Sequence, residues 1–230
     1  MAAGRAQPGK VVRCLITLLP EAVVVRVIVF GSTGRVGRAA VARALAAGHE
    51  VRAAVRSVPN VSPFDERVRR VVADVREPDS VAAAVADTDA AIVAVGGDVF
   101  KPSDVVTRSA RAIVDALTAR GIRRYVGITG VAQMKPRLGG AIAQAVLRRS
   151  PIRYAVADHQ RAFEIVAASG LDWTLAGCPW IKDGAHPGRC REHPDTFPGG
   201  FHTVSPVDVG AFLAAQVSDG GYLRRVVGLW

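Results

Sequence analysis

A single α/β domain built on a doubly wound parallel sheet is the fold this sequence predicts, and three observations predict it. The apolar run Val23–Phe30, "VVVRVIVF", is β-branched on both faces, as a strand buried between two helix layers must be. Glycines at 31, 34 and 37 follow it directly in "FGSTGRVGRAA", ahead of an alanine-rich segment. Beyond them, strand-like and helix-like stretches alternate with short polar joints, and no repeat or low-complexity linker divides them.

Taken in order, residues 1–22 carry no motif and are expected to be a disordered or loosely docked extension. Its apolar stretch "CLITLL" is short, Pro20 and Glu21 interrupt it, and no clean small-residue cleavage site follows, which argues against a signal peptide. Arg13, Glu21 and Arg26 break every window of the ~20 apolar residues that a membrane span needs. After the first strand, Val36, Ala40 and Ala44 recur at helical spacing with Val41 and Leu45 beside them, and Gly48 ends that helix. Further strands are expected at Glu50–Val55, Val68–Val72, Ala90–Val95, Arg124–Thr129, Trp173–Gly177 and Arg225–Leu229. Helices are expected at Asp79–Ala86, Ser103–Arg120, Pro151–Ala168 and Pro206–Val217. The last has the clearest start, with Ser205 as N-cap, Pro206 at the first helical position and Asp208 near the positive end of the dipole.

Composition narrows the class. At 230 residues, half of them apolar, the chain is one domain (23–230) with a substantial core. The 30 Lys and Arg against 20 Asp and Glu make it basic, yet they are scattered and no aromatic platform is interleaved with them. That favours a small anionic ligand over nucleic acid or a membrane. Three cysteines, at 14, 178 and 190, form no C-x-x-C and are odd in number, which suits a reducing, cytoplasmic location.

Between a strand and a helix, the glycine triplet has a chemical use, and the fold becomes Rossmann-like. Gly31 allows the sharp turn, Gly34 lets the backbone approach a pyrophosphate, and Gly37 lets the helix pack closely, with Ser32 and Thr33 between them. The phosphates would sit on the helix N-terminus, where free N–H groups and the dipole favour anions. The end of the second strand should then choose the cofactor. Glu50 looks like the acid that holds a ribose diol, but it begins that strand, about 20 Å from its C-terminal end. Arg56 and Ser57 stand at the correct end. With Arg35 inside the glycine turn, two guanidinium groups suit the 2′-phosphate of NADP(H) better than the diol of NAD(H).

The segments "VIVFGSTGRVG", "VRAAVRS", "VVADVREPDSVAAAV", "DAAIVAVGG", "RYVGIT", "SGLDWTL" and "VSPVDVGAFL" together resemble the atypical short-chain dehydrogenases with an NAD(P)H-binding domain. The nearest branches are the flavin reductase or biliverdin reductase B type and the NmrA-like redox sensors. The resemblance runs from about Val25 to Leu229 and implies a strand order of 3-2-1-4-5-6. It also implies that Thr33, Gly34, Arg35 and Val36 touch the pyrophosphate and Arg56 the 2′-phosphate. Asp74 and Val75 would flank adenine, Val95 and Gly96 the ribose, and Thr129 the nicotinamide ribose, while Pro179, Trp180 and Ile181 border the nicotinamide.

The wider superfamily uses Tyr-x-x-x-Lys to place a proton donor and its partner on one helix face. Here Tyr154 is followed four residues later by Asp158, and the position resembling the lysine is His159. "GITG" offers Thr129 where related reductases carry serine, and Trp180 replaces a histidine. Thr129 and His159 are therefore the candidate catalytic residues, and the resemblance implies that His159 also contacts the nicotinamide ribose. The segments around 131–150 and 179–204 are candidate substrate loops. His186, Cys190 and His193 supply three potential zinc ligands without a fourth, so no metal site is expected. The function expected is NADPH-dependent hydride transfer to a flavin, quinone or similar conjugated small-molecule acceptor. A non-catalytic NADP sensor is the alternative. A nucleotide-sugar epimerase is disfavoured by the small space for a substrate domain, and monomer and homodimer stay equally open.

Overall fold

The computed structural model describes residues 23–57, 64–136, 138–184, 190–197 and 199–230, so the expected extension lies outside the described residues. The first strand, β1 (Arg26–Phe30), is buried on both sides. Val27 and Val29 enter one apolar core, and Ile28 and Phe30 enter the other. A strand with a core on each face has to be apolar at consecutive positions. Val23 and Val24 share the composition but are exposed, because pairing begins only where Arg26 meets Glu50.

Around β1 lie β2 (Glu50–Val55), β3 (Arg69–Val72), β4 (Ala90–Val93), β5 (Arg124–Gly130), β6 (Asp172–Cys178), β7 (Glu192–Pro194) and β8 (Arg225–Leu229). Their order in the sheet is 3-2-1-4-5-6-8-7. The expected order is therefore present and is extended at one edge. Strands 1–6 and β8 run parallel, while β7 runs antiparallel to β8 with Val227 opposite Pro194. At the other edge, β3 exposes Arg69 and Arg70, whose charges discourage pairing with another chain.

Helices cover both faces. On one, α1 (Arg35–Ala46) bears on the core that holds Val27 and Val29. On the other lie α2 (Pro78–Ala84) and α3 (Val105–Ala119). A further helix, α4 (Leu138–Leu147), occupies the expected 131–150 loop, and α5 (Arg153–Ala168) packs against α3. Helix α6 (Pro206–Ala215) returns to lie beside α1. Ser205 caps α6 as its sequence predicts: its hydroxyl accepts from the Asp208 amide at 3.0 Å and donates to the Asp208 carboxylate at 2.9 Å.

The contact between α1 and α6 rests on Gly210. A Cβ there would lie 2.5 Å from the Ala39 Cβ and 2.7 Å from the Ala40 nitrogen. In an open helix, Gly→Ala gains about 0.5–1 kcal/mol. Here overpacking against backbone costs about 1–3 kcal/mol and wins. Gly210→Ala should therefore lower the melting temperature by about 2–6 °C. A rise on thermal unfolding would show that the two helices part without cost.

Candidate functional site

The C-terminal ends of the parallel strands form one edge, and the glycine turn stands at its centre. Gly31 has φ +73°, and a Cβ there would lie 2.4 Å from the Ala94 carbonyl oxygen. A Cβ at Gly37 would lie 2.0 Å from the Gly31 oxygen. These two glycines are thus required by the chain itself. Gly34 is different: it is exposed, and a Cβ there would meet only the Gly31 oxygen, at 3.3 Å. Gly34 is also the N-cap of α1, which has no side-chain cap and no acid in its first turn. The first N–H groups of the helix are free for an anion beside an open cradle, so these residues fit a pyrophosphate.

Not every residue of the turn faces outward. The Ser32 hydroxyl is fully buried and donates to the Ala54 carbonyl at 2.6 Å, tying the turn to the end of β2. The Val36 side chain is buried in the core between α1 and the sheet. The side chains of Ser32 and Val36 thus hold the cradle in place, and their backbone is what is left to meet a ligand. Thr33 is exposed and remains at the opening.

Beside the turn lies a cavity of about 300 Å³ whose walls bring together Gly31, Thr33, Gly34, Arg56, Asp74, Val75, Val95 and Gly96. Glu50 lies in a separate cleft at the opposite end of β2, as the strand direction requires. The same cavity adds Arg76, which sequence reasoning missed although it stands two residues after Asp74. Arg76 grips Asp74 with contacts of 2.6 and 3.0 Å. This pairing, with a smaller contribution from Arg56, holds the Asp74 carboxyl at about 2. Arg56 is exposed, and no ion pair engages it among the described residues. Arg35 is not beside it. The Arg35 guanidinium turns away to Asp183 at 2.7 Å, so the second guanidinium beside Arg56 at this cavity is that of Arg76 and not that of Arg35.

Toward the other end of the edge, Thr129 and His159 line a small enclosed cavity of about 20 Å³ with Val95, Ser109 and Tyr125. Thr129 donates to Gln133 Oε1 at 3.1 Å, Gln133 Nε2 to Gln160 Oε1 at 3.4 Å, and Gln160 Nε2 to Glu164 Oε1 at 2.9 Å. The Glu164 oxygen accepts from Gln160, which orients both amides and aims the one Thr129 proton at Gln133. Thr129 thus offers lone pairs, suited to a ribose hydroxyl, and no proton to a developing alkoxide. His159 Nδ1 is enclosed without a hydrogen-bond partner among the described residues. Burial lowers its pKa below the ordinary 6.5, with the Asp158 charge opposing, so the ring is neutral at pH 7. Thr129 and His159 are thus both enclosed, with the Thr129 proton already directed to Gln133.

Pro179 and Trp180 follow β6 and border an apolar cavity of about 330 Å³, together with Val131, Ala143, Leu147 and Phe197. Ile181 turns the other way and packs on the α1 side of the sheet. The segments expected as substrate loops converge here: 131–147 supplies one wall, and 178–180 with 197–202 the other. Of the three possible zinc ligands, His186 lies outside the described residues. His193 is stacked on Trp230 with ring centroids 4.4 Å apart.

Asp158 explains why no lysine stands four residues after Tyr154. Its side chain is buried and accepts from the Val106 and Thr107 amides at 3.1 and 3.0 Å, capping α3 from α5. Asp104, the residue at the α3 N-cap, makes no such bond.

Comparison with known proteins agrees with this geometry. Residues 31–220 match the NAD(P)H-binding family. An uncharacterised chloroplast protein of Arabidopsis thaliana is 25% identical over 179 residues, which are 74% of this chain and 64% of that protein. The chain thus spans less than two thirds of that relative's length. A wide-type short-chain dehydrogenase/reductase from Veillonella parvula, solved with NADP, superposes with a TM-score of 0.71 at 17% identity, covering 89% of this chain and 93% of that one. A candidate NADH-flavin reductase from Streptococcus pneumoniae superposes at 0.70 and 19% identity, covering 89% and 98%. At such identities these likenesses establish the fold.

The Asp158 cap carries a consequence for stability. Asp158→Ala leaves one buried and one half-buried amide unpaired and should cost about 2–4 kcal/mol in urea denaturation. A loss below about 0.5 kcal/mol would mean that the α3 amides find other acceptors.

Proposed function

The chain belongs to the NAD(P)H-binding family, and we propose that it is an NADPH-dependent oxidoreductase that delivers hydride to a flavin, quinone or similar conjugated acceptor. One observation carries this reading. The apolar cavity at the ends of β5 and β6 lies where the nicotinamide end of a bound cofactor would reach, and neither Thr129 nor His159 lines it.

When bound, the nicotinamide supplies two electrons and a hydrogen as hydride, and the protein's task is to place the acceptor within about 3–3.5 Å of it. Gly34 and the α1 N-terminus would hold the pyrophosphate, and Arg56 with Arg76 the 2′-phosphate. Thr129 would accept from a ribose hydroxyl. The walls built by Val131, Pro179 and Trp180 would orient the acceptor and exclude water. A conjugated ring delocalises the incoming charge and takes its proton from solvent, so it tolerates the absence of an acid. An aliphatic ketone does not. The free thiols of Cys178 and Cys190 support a cytoplasmic setting. The missing Tyr-x-x-x-Lys pair also favours, as a second reading, a sensor that binds NADP(H) without turnover.

Cofactor choice tests the phosphate end. One charge-assisted contact from Arg56 contributes about 1.5–3 kcal/mol, so NADPH should bind roughly ten- to a hundredfold more tightly than NADH. Arg56→Glu should reverse that order in a fluorescence titration. Equal affinities in the unaltered protein would remove Arg56 from the site.

Steady-state oxidation of NADPH tests the other end. Quinones or flavins should be reduced, and aliphatic ketones should not. His159→Ala should leave turnover at saturating NADPH within about threefold, because a neutral, enclosed imidazole is no acid. Rapid ketone reduction that His159→Ala abolishes would overturn the mechanism. Tight NADPH binding with no turnover of any acceptor would favour the sensor.

A further inference from the structure

The reading above leaves the acceptor's chemistry open, and the apolar cavity narrows it. Its walls carry aliphatic and aromatic side chains from α4, the start of α5 and the segments after β5 and β6. Neither a lysine nor an arginine lines it among the described residues. The one polar ring, His202, is already engaged: its Nε2 lies 2.9 Å from the Gly199 oxygen, and its face stacks on Trp230 at 5.1 Å. A phosphate brought into these walls would lose its hydration with no cation to replace it.

The cavity also has a mouth of the same character. Val146 and Phe201 line it and are nevertheless 63% and 85% exposed. Ile142, one turn before Val146 on α4, is 65% exposed. No charged residue interrupts α4, "LGGAIAQAVL", between its first residue and Leu147. Large apolar side chains left in water in a row that continues an apolar cavity mark a binding track.

We propose, resting on the oxidoreductase reading, that this cavity takes an uncharged ring acceptor bearing an aliphatic tail, a lipid-like quinone, with the tail leaving between Val146 and Phe201 along α4. Phosphorylated flavins are the poorer ligands. The ring lies against Pro179 and Trp180, and the tail covers Val146 and Ile142.

Binding is read without turnover, by quenching of Trp180 fluorescence in the full chain loaded with NADP⁺, with Trp180→Phe to identify the signal. The probes are a benzoquinone with a ten-carbon tail, the same ring without the tail, and FMN. Burying even two methylenes is worth about a tenfold gain, so the tailed quinone should bind at least about tenfold more tightly than the bare ring. FMN should bind more weakly than either. Val146→Glu and Ile142→Glu, both at exposed positions, should each remove most of the tail's advantage and leave NADP⁺ affinity unchanged. Equal affinity with and without the tail, or tightest binding of FMN, would overturn the proposal while leaving the oxidoreductase reading intact. Failure to bind NADP⁺ or NADPH would instead overturn that reading. Self-association that Ile142→Glu abolishes, without any quinone binding, would assign the face to a second copy of the chain and overturn the proposal.

Discussion

The backbone at Gly31 is in contact with two neighbours that leave no room for a side chain. The Ala94 carbonyl, just past β4, occupies the direction a side chain at 31 would take, and the Gly31 carbonyl occupies the direction of one at 37. This double approach fixes the end of β1, the exit of β4 and the start of α1 relative to one another. The open face at Gly34 follows from it, because the turn is pinned on both sides and only its outer rim is free. The Ser32 bond to Ala54 adds the end of β2 to the same knot. An anion site made of backbone N–H groups depends on such fixation, since those groups cannot be reoriented by rotamer changes.

The remainder of the molecule holds that edge in register. On one face, Gly210 brings α6 close against α1, and on the other Asp158 joins α5 to the first turn of α3. Arg124, partly buried at the start of β5, donates to the carbonyls of Asp172 and Gln216 and to the Thr174 hydroxyl. It ties β5, β6 and the end of α6 together at the side opposite the site. Burial lowers its pKa, yet these acceptors satisfy its hydrogen-bonding groups. The site therefore lies on packed elements at its centre, and its outer wall is formed by α4 and the segments after β6.

Charge is divided along the edge in a way that separates two tasks. Arg56, Arg76 and Asp74 gather at the end toward β2 and β3, where a doubly charged phosphate would gain most from them. The far end carries almost only apolar walls. Between them, the Arg35–Asp183 pair links the start of α1 to the segment after β6, with both partners exposed. An exposed pair of this kind contributes little stability, so it would open at low cost to a ligand spanning the two ends.

The sequence by itself determined the sheet and the cradle. A two-sided apolar strand such as Val27–Phe30 has few alternatives, and Gly31, Gly34 and Gly37 at that spacing specify a turn that opens a helix. Strand direction alone placed Arg56 and excluded Glu50. Ser205, Pro206 and Asp208 announced α6 because capping is local chemistry. Tertiary structure decided the rest. Arg35 and Arg76 differ in role because long side chains take their direction from distant partners: Asp183 stands 148 residues from Arg35, whereas Asp74 stands two from Arg76. Asp158, Gln133 and Gln160 carry no motif, and they matter only through what α3, β5 and α5 bring beside them. The apolar cavity was legible only as two unexplained segments, since its walls come from positions as far apart as Gly130 and His202. Local patterns fix backbone that must satisfy its own hydrogen bonds, whereas a side chain's direction and a cavity's shape depend on packing between segments remote in the chain.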